Sequence, residues 1–181
     1  MKNKQFIEIE IQVQIENSKN LLSFLRKNAK LVAKERQVDK YYTPAHRNFI
    51  KVKPIKEWLR LRNANGKFSI NYKYWHYEKD GTSNYGDEFE TQIEDLESLE
   101  KIISSLDMKP LIVVDKTREI WRYKNYEVAI DSVKNLGDFV EVEFKGKIDG
   151  KKPAEINNEM LKFLKELDCG KILRNYGGYP Y

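Results

Sequence analysis

The chain has 181 residues, of which 40% are hydrophobic and 34% charged, a composition typical of one soluble globular domain rather than of a disordered chain. The net charge of +5 predicts an anionic partner, but cations and carboxylates recur together along the chain, which argues against a simple nucleic-acid-binding patch. No apolar run approaches the roughly 20 residues of a membrane span, and the single cysteine, Cys169, excludes an internal disulfide and any metal site built from several thiolates.

The first residues lead directly into an alternating strand rather than into the apolar core of a signal peptide. We therefore expect a cytoplasmic protein with no membrane partner. No Pro-, Gly- or Ser-rich linker divides the chain, so we expect one domain over residues 1–181.

Residues 6–15 form the clearest predicted strand, because five branched apolar residues alternate with polar residues over most of its length. Ser18 then offers an N-cap for a short helix whose leucine and phenylalanine residues recur at helical spacing. A weaker strand is expected over residues 32–42, and residues 45–56 are predicted to form an irregular loop.

Two further strands are predicted at residues 58–62 and 67–77, because an Asn-Gly dipeptide between them is a strong signal for a tight hairpin. A turn at residues 79–81 leads into a strand at residues 87–93. The remaining predicted elements are a helix at residues 96–106, strands at 111–123, 126–133 and 139–144, and a helix at 153–167.

The tail, residues 175–181, is rich in glycine and tyrosine and is expected to be flexible. About eight strands joined by turn-length links, with helices at the periphery, predict an α+β fold. We expect a closed or nearly closed eight-stranded antiparallel β-barrel.

Five predicted strands carry two charged residues at positions i and i+2, a spacing that aims both side chains at one face of a sheet. The pairs are Glu8 with Glu10, Arg60 with Arg62, Glu88 with Glu90, Lys116 with Arg118, and Glu141 with Glu143. A solvated outer face explains any one pair. Five pairs together favour a barrel whose interior holds carboxylates and cations, with apolar side chains and helices packed outside.

A charged interior of this kind has a chemical use. Carboxylate oxygens are ligands for Mg²⁺ or Mn²⁺, and Arg and Lys hold phosphate oxygens by charge-assisted hydrogen bonds. Because so many charges are costly to bury without a ligand, a purely structural role is disfavoured. The pattern therefore predicts a site for a polyphosphate with a bound divalent metal.

Six short motifs follow one another along the chain. They are Glu8-Ile9-Glu10-Ile11-Gln12, Trp58-Leu59-Arg60-Leu61-Arg62, Asn71-Tyr72-Lys73, Asp115-Lys116-Thr117-Arg118, Ile130-Asp131 and Leu136-Gly137-Asp138-Phe139-Val140-Glu141-Val142-Glu143. This ordered set resembles the CYTH or triphosphate tunnel superfamily, and most of all its class IV adenylyl cyclase-like branch. The first motif departs from the family pattern Glu-x-Glu-x-Lys, because Gln12 stands where lysine is expected.

The resemblance implies roles for individual side chains. The implied metal ligands are Glu8, Glu10, Glu141 and Glu143, and the implied triphosphate-binding residues are Arg60, Arg62, Lys73, Lys116, Arg118 and Gln12. The implied catalytic residues are Glu8, Glu10 and Asp131, the last as a further metal ligand or as a group that orients water. Glu88 and Glu90 are second choices, as outer partners of the cations. The implied cofactor is Mg²⁺ or Mn²⁺.

The resemblance implies a metal-dependent enzyme that acts on a triphosphate, and it leaves the reaction open. A class IV cyclase-like enzyme converts ATP to cAMP and pyrophosphate, whereas a triphosphatase hydrolyses thiamine triphosphate or inorganic triphosphate. A non-catalytic triphosphate or nucleotide sensor is a third possibility, because Gln12 supplies no charge. RNA binding through the basic surface is a weaker alternative, and a homodimer is compatible with exposed apolar helix faces.

Overall fold

The computed structural model describes residues 7–79 and 83–174. The strands in these residues are β1 (Ile7–Glu8), β2 (Glu10–Ile15), β3 (Lys30–Pro44), β4 (Glu57–Ala64), β5 (Lys67–Tyr77), β6 (Ser83–Ile93), β7 (Met108–Tyr123), β8 (Tyr126–Val133), β9 (Gly137–Phe144) and β10 (Ile172–Arg174). The helices are α1 (Lys19–Asn28), α2 (Leu96–Ser105) and α3 (Pro153–Glu166), and a 3₁₀ turn spans Phe49–Lys51. None of the helices in these residues is long and apolar enough to cross a membrane.

The structure confirms the predicted α+β class and the antiparallel pairing of its strands. The predicted strand number is wrong, because the described residues contain ten strands and not eight. The eight predicted strands correspond to β2–β9. The first predicted strand is interrupted at Ile9, whose carbonyl accepts a hydrogen bond from the backbone N–H of Phe144, and this leaves the short β1. The other added strand, β10, has three residues and pairs with β2.

Some of the sequence predictions fall outside the described residues. Residue 6 of the first predicted strand, residues 80 and 81 of the predicted turn, and the tail at residues 175–181 are among these.

The chain forms two compact units. The first contains Ile7 and Arg36–Asp115, and the second contains Glu8–Glu35 and the chain from Lys116 onward, so that the boundary falls within β1, β3 and β7. The strand order is β1-β6-β5-β4-β3 in the first unit and β7-β8-β9-β2-β10 in the second. The single domain expected from the sequence stays a prediction.

The first unit is built on the predicted hairpin of β4 and β5. Asn65 and Gly66 both adopt positive φ in its turn, and the Gly66 N–H donates a hydrogen bond to Oδ1 of Asn63 at 2.8 Å. This turn sets Arg60 opposite Asn71 and Arg62 opposite Ser69. In the next pair, Lys73 lies opposite Glu88 and Asn71 opposite Glu90. These residues therefore share one face of the sheet.

The second unit separates its apolar and charged side chains between two faces. On β2, β8 and β9 the buried apolar residues alternate with the charged ones, as the period of a strand requires. Helix α3 packs against β2 and buries Ile156, Met160 and Leu164 completely. Burial of each such side chain stabilises the fold by roughly 1.5–3 kcal/mol, so the apolar face fixes the opposite, charged face in place.

Candidate functional site

The charged face of the first unit is organised around Asp39 on β3, whose side chain is 0% exposed. Arg62 on the neighbouring strand donates Nε to Oδ1 of Asp39 and Nη2 to Oδ2, both at 2.7 Å. This two-point contact is the strongest geometry for an arginine and a carboxylate. Sequence reasoning missed Asp39, because it is one acidic residue in a weakly patterned strand and its partner is set by the β3–β4 register.

Glu88 on β6 is the second carboxylate of this group, which we call the Asp39 cluster: Asp39, Arg60, Arg62, Lys73 and Glu88. The ammonium of Lys73 lies 3.0 Å from Oε2 of Glu88. The Arg60 guanidinium lies 3.8 Å from a carboxylate oxygen of Glu88 and 3.8 Å from one of Asp39. Both separations exceed hydrogen-bond length, so these two carboxylates attract Arg60 through space without bonding to it.

Two further side chains flank this cluster. Asn71 donates a hydrogen bond to Glu88, and the Ser69 hydroxyl donates to Glu90 at 2.7 Å. Glu90 is exposed, whereas Glu88 is largely covered. The two acidic residues named as second choices therefore differ, since Glu88 joins the buried cations and Glu90 lies at the edge.

The charges around Arg60 keep its side chain protonated. Burial lowers the pKa of Arg60, but Asp39, Tyr41, Glu88 and Glu90 together raise it well above its ordinary value, so the side chain stays cationic. Its Nε is buried and has no hydrogen-bond partner within the described residues. Burial also raises the pKa of Tyr41, with a further contribution from Asp39, which keeps the phenol neutral.

The second unit contains a similar group, the Asp131 cluster: Lys116, Arg118, Asp131 and Glu141. Asp131 is 0% exposed and accepts hydrogen bonds from Nε and Nη2 of Arg118, both at 2.6 Å, and from Nζ of Lys116 at 3.0 Å. Arg118 donates two more hydrogen bonds to Glu141, at 3.2 and 3.0 Å. The carboxylate of Asp131, for which the sequence predicts a metal or water-orienting role, therefore contacts two cationic side chains in this structure.

The remaining predicted carboxylates lie on β2, on β9 and at the end of β1. Glu10 is opposite Glu143, and Gln12 is opposite Glu141 and donates a hydrogen bond to it at 3.4 Å. Lys145 contacts Glu143. Burial lowers the pKa of Lys145, but the negative charges of Glu143 and Glu8 raise it above its ordinary value. Glu8, Glu10 and Glu143 are thus brought into one region of the second unit.

The surroundings of Glu143 disfavour the negative charge of its carboxylate. Burial raises its pKa, and the negative charges of Glu141 and Glu127 raise it further, whereas Lys145 opposes the shift. A neighbouring divalent cation relieves this kind of repulsion, because it favours the ionised form of each carboxylate around it.

The donor chemistry here fits Mg²⁺ or Mn²⁺, which prefer oxygen ligands. Glu10 and Glu143 occupy facing positions on adjacent strands, which is the closest approach that two side chains make across a sheet. Nowhere among residues 7–79 and 83–174 do three Asp, Glu, His or Cys side chains converge at metal-ligand spacing. Glu141 is held by two hydrogen bonds from Arg118, whereas Glu143 has one contact with Lys145 and faces Glu10, so the pair that fits a cation best is Glu10 with Glu143.

The two clusters share one arrangement. In each, a strand carries two cations at positions i and i+2, and the second of them, Arg62 or Arg118, makes a two-point contact with a fully buried aspartate on the next strand. A glutamate, Glu88 or Glu141, completes each group. Cationic side chains that carboxylates hold in fixed positions can offer charge-assisted hydrogen bonds to an anionic ligand.

The chain belongs to the CYTH family. The CYTH domain pattern matches residues 6–172. A Methanocaldococcus jannaschii protein that carries the name "Putative adenylate cyclase" is 33% identical over 166 residues, which cover 91% of each chain. The family resemblance indicated by the six motifs is therefore confirmed.

Solved structures show the same fold. A Pyrococcus horikoshii protein is 28% identical, with a TM-score of 0.77, over 93% of this chain and 94% of that chain. A Vibrio parahaemolyticus protein called a "putative adenylate cyclase" is 14% identical with a TM-score of 0.74 over 97% of each chain. A Hippeastrum protein, a "Putative adenylyl cyclase" with a dominant triphosphatase activity, is 18% identical with a TM-score of 0.62, over 94% of this chain and 91% of that chain. At these last two identities the likeness shows the fold alone.

Proposed function

We propose that this chain is a metal-dependent enzyme that binds a triphosphate and converts ATP to cAMP and pyrophosphate. The observation that carries the proposal is the pair of clusters, in which rigid carboxylates hold cationic side chains on a sheet face. The basic residues concerned are Arg60, Arg62, Lys73, Lys116 and Arg118. Membership of the CYTH family and the 33% identity to a cyclase-named protein support this reaction.

In this proposal these basic side chains act together on the phosphate chain: Arg60 binds phosphate oxygens directly, and Arg62, which Asp39 holds at two points, fixes the surface on which they bind. Preorganised cations stabilise the charge that develops when a phosphoanhydride bond breaks, because they need no rearrangement during the reaction. Cyclisation also requires the ribose 3′-hydroxyl to be aligned with the α-phosphorus, so the rate depends on how firmly the phosphate chain is oriented.

The carboxylates of the second unit would hold Mg²⁺ or Mn²⁺, with Glu10 and Glu143 as the principal ligands and Glu8 beside them. When bound, such an ion neutralises phosphate charge and polarises a phosphoryl oxygen. Asp131 would not need to reach the ion, because its contacts with Lys116 and Arg118 already give it a role in holding those cations.

The test is an incubation of the purified protein with ATP, thiamine triphosphate and inorganic triphosphate in turn, with Mg²⁺ or Mn²⁺, followed by chromatographic separation of cAMP, pyrophosphate and phosphate. Equal amounts of cAMP and pyrophosphate from ATP support the proposal. Release of phosphate without cAMP contradicts the cyclase reaction and identifies a triphosphatase. The matched variants are Glu10→Gln, which should lose the activity, and Glu119→Gln, a glutamate on β7 that pairs with the exposed Lys34 and should retain it.

A second candidate function is a triphosphate sensor, and the observation that favours it is Gln12. Its amide faces Glu141 across the β2–β9 pair and brings no positive charge to that position. A sensor binds inorganic triphosphate in a calorimeter but forms no product from any substrate. If the wild-type protein turns over a triphosphate and Glu10→Gln does not, the sensor hypothesis is rejected.

A further inference from the structure

We propose that Asp39 is a positioning residue for phosphate binding. It fixes the guanidinium of Arg62, and through that fixed group and its own charge it holds Arg60 in the orientation that binds phosphate. The inference rests on the proposed function, because it concerns the side chains that we propose to bind the triphosphate.

The first step is that Arg62 already uses its hydrogen-bond donors on Asp39. Both of its donors on one edge of the guanidinium, Nε and Nη2, are used by Asp39 at 2.7 Å, and the side chain of Arg62 is only 11% exposed. A guanidinium held in this way cannot offer the same edge to a phosphate without breaking a buried pair. Breaking such a pair would leave the Asp39 carboxylate buried with much less compensation for its charge. Arg62 therefore acts as part of the scaffold.

The second step is the availability of Arg60. Its guanidinium lies 3.8 Å from the nearest oxygens of Asp39 and of Glu88, beyond hydrogen-bond length. Its buried Nε has no hydrogen-bond partner within the described residues, and a buried N–H of this kind gains from any acceptor that reaches it. A phosphate oxygen is an acceptor that also matches its charge. Arg60 has a side-chain hydrogen bond with Tyr41, but its Nε remains available to an anion, whereas Nε of Arg62 is used by Asp39.

The third step is the enclosure of these groups. Tyr41 lies opposite Arg60 in the β3–β4 register, and its ring packs edge-on against Trp58 at 5.3 Å between centroids. Asp39 is two residues before Tyr41 on the same face of β3 and is fully buried. The side chains that flank Arg60 therefore also hold the Asp39 carboxylate in place. A change at Asp39 would therefore alter where Arg60 lies even though Asp39 itself would not touch phosphate.

Three possible roles of Asp39 predict different outcomes for Asp39→Asn. If the residue acts only through its charge, its removal makes the region more positive and triphosphate binds more tightly. If its role is only structural, the protein loses stability while the folded fraction binds triphosphate as before. If Asp39 positions Arg60, the folded variant binds more weakly, although it carries one negative charge fewer.

The experiment measures the dissociation constant of inorganic triphosphate by titration calorimetry, with the folded fraction of each sample determined by circular dichroism. The control is Asp115→Asn, because Asp115 makes a similar two-point contact with Arg36, at 2.9 and 2.7 Å, on the surface of the same unit. Arg36, the partner of Asp115, lies three residues before Asp39 on β3, so the two side chains leave that strand on opposite faces.

We expect the dissociation constant to rise at least about tenfold in Asp39→Asn and to change less than about twofold in Asp115→Asn. An unchanged or smaller dissociation constant in folded Asp39→Asn overturns the inference and leaves the proposed function intact. Failure of the wild-type protein to bind triphosphate rejects the proposed function itself, and the inference with it.

A measurement on the wild-type protein covers the case in which Asp39→Asn does not fold. The Nε–H groups of Arg60 and Arg62 are followed by ¹⁵N NMR as inorganic triphosphate is added, with the signals assigned from Arg60→Lys. We expect the Arg60 signal to move and the Arg62 signal to keep its position. Movement of the Arg62 signal by as much as that of Arg60, or no movement of Arg60, overturns the inference.

Discussion

Replacing Asp131 with asparagine removes the negative charge on which the second unit's cations depend. The carboxylate is fully buried and accepts three hydrogen bonds, one from Lys116 and two from Arg118. Lys116 is itself only 3% exposed, so water cannot replace the lost partner. The variant therefore leaves a buried ammonium with less compensation than any other single change in this cluster.

The size of the effect follows from these contacts. Removal of one partner from a buried ion pair typically destabilises a protein by about 3–5 kcal/mol. Arg118 keeps its two hydrogen bonds to Glu141, which prevents the loss from exceeding that range. For a chain of this size each kcal/mol lowers the melting temperature by about 2–4 °C, so we expect a fall of about 6–20 °C.

The assay is thermal and urea-induced unfolding of Asp131→Asn beside Glu119→Gln, in buffer without added metal or phosphate. Glu119 also belongs to the second unit, but its partner Lys34 is 62% exposed, and such surface pairs contribute about 0–1 kcal/mol. Equal stabilities for the two variants would refute the view that Asp131 neutralises buried cations.

Three further predictions concern the proposed ligands. Glu10→Gln should lower metal-dependent turnover by at least about 100-fold while leaving the affinity for inorganic triphosphate in EDTA unchanged, and equal losses in both would contradict a metal role. Arg60→Lys should weaken triphosphate binding by about tenfold, because lysine lacks the Nε donor, whereas Arg47→Lys, at an exposed pair with Glu57, should not; equal affinities would contradict this. The raised pKa of Glu143 means that the folded state holds this proton more tightly, so its contribution to stability falls as the pH rises from the ordinary glutamate range through the raised pKa. Glu143→Gln should remove that part of the pH dependence of unfolding, and an unchanged profile would show the sign to be wrong.

Strand positions could be predicted because alternation is a local property of the sequence. The Asn65-Gly66 turn fixes the β4–β5 register, and the i, i+2 charges then have to share a face. The interruption at Ile9 that separates β1 from β2 could not be predicted in this way, because the alternation runs through it without a break. The three residues of β10 carry no periodic signal and form a strand only through their neighbour β2.

The sequence did not show which charged residues would pair with one another. Asp39 pairs with Arg62 across 23 positions of sequence, and Asp131 with Arg118 across 13, and both contacts depend on strand register. The sequence therefore indicated which side chains would be buried together but not which of them would bond to one another. Asp39, the centre of one cluster, was not among the candidate site residues for this reason.

The formal charge of the two sheet faces differs, although their compositions look alike. The face around Asp39 carries three cations, Arg60, Arg62 and Lys73, against three carboxylates, Asp39, Glu88 and Glu90. The face of the second unit carries three cations, Lys116, Arg118 and Lys145, against four carboxylates, Glu10, Asp131, Glu141 and Glu143. Folding thus sorts an evenly mixed sequence into one face of balanced charge and another face with an excess of carboxylates, which favours cations. A single carboxylate-to-amide exchange on either face would shift which ions it retains, so ionic selectivity in this scaffold can be retuned without altering its apolar core.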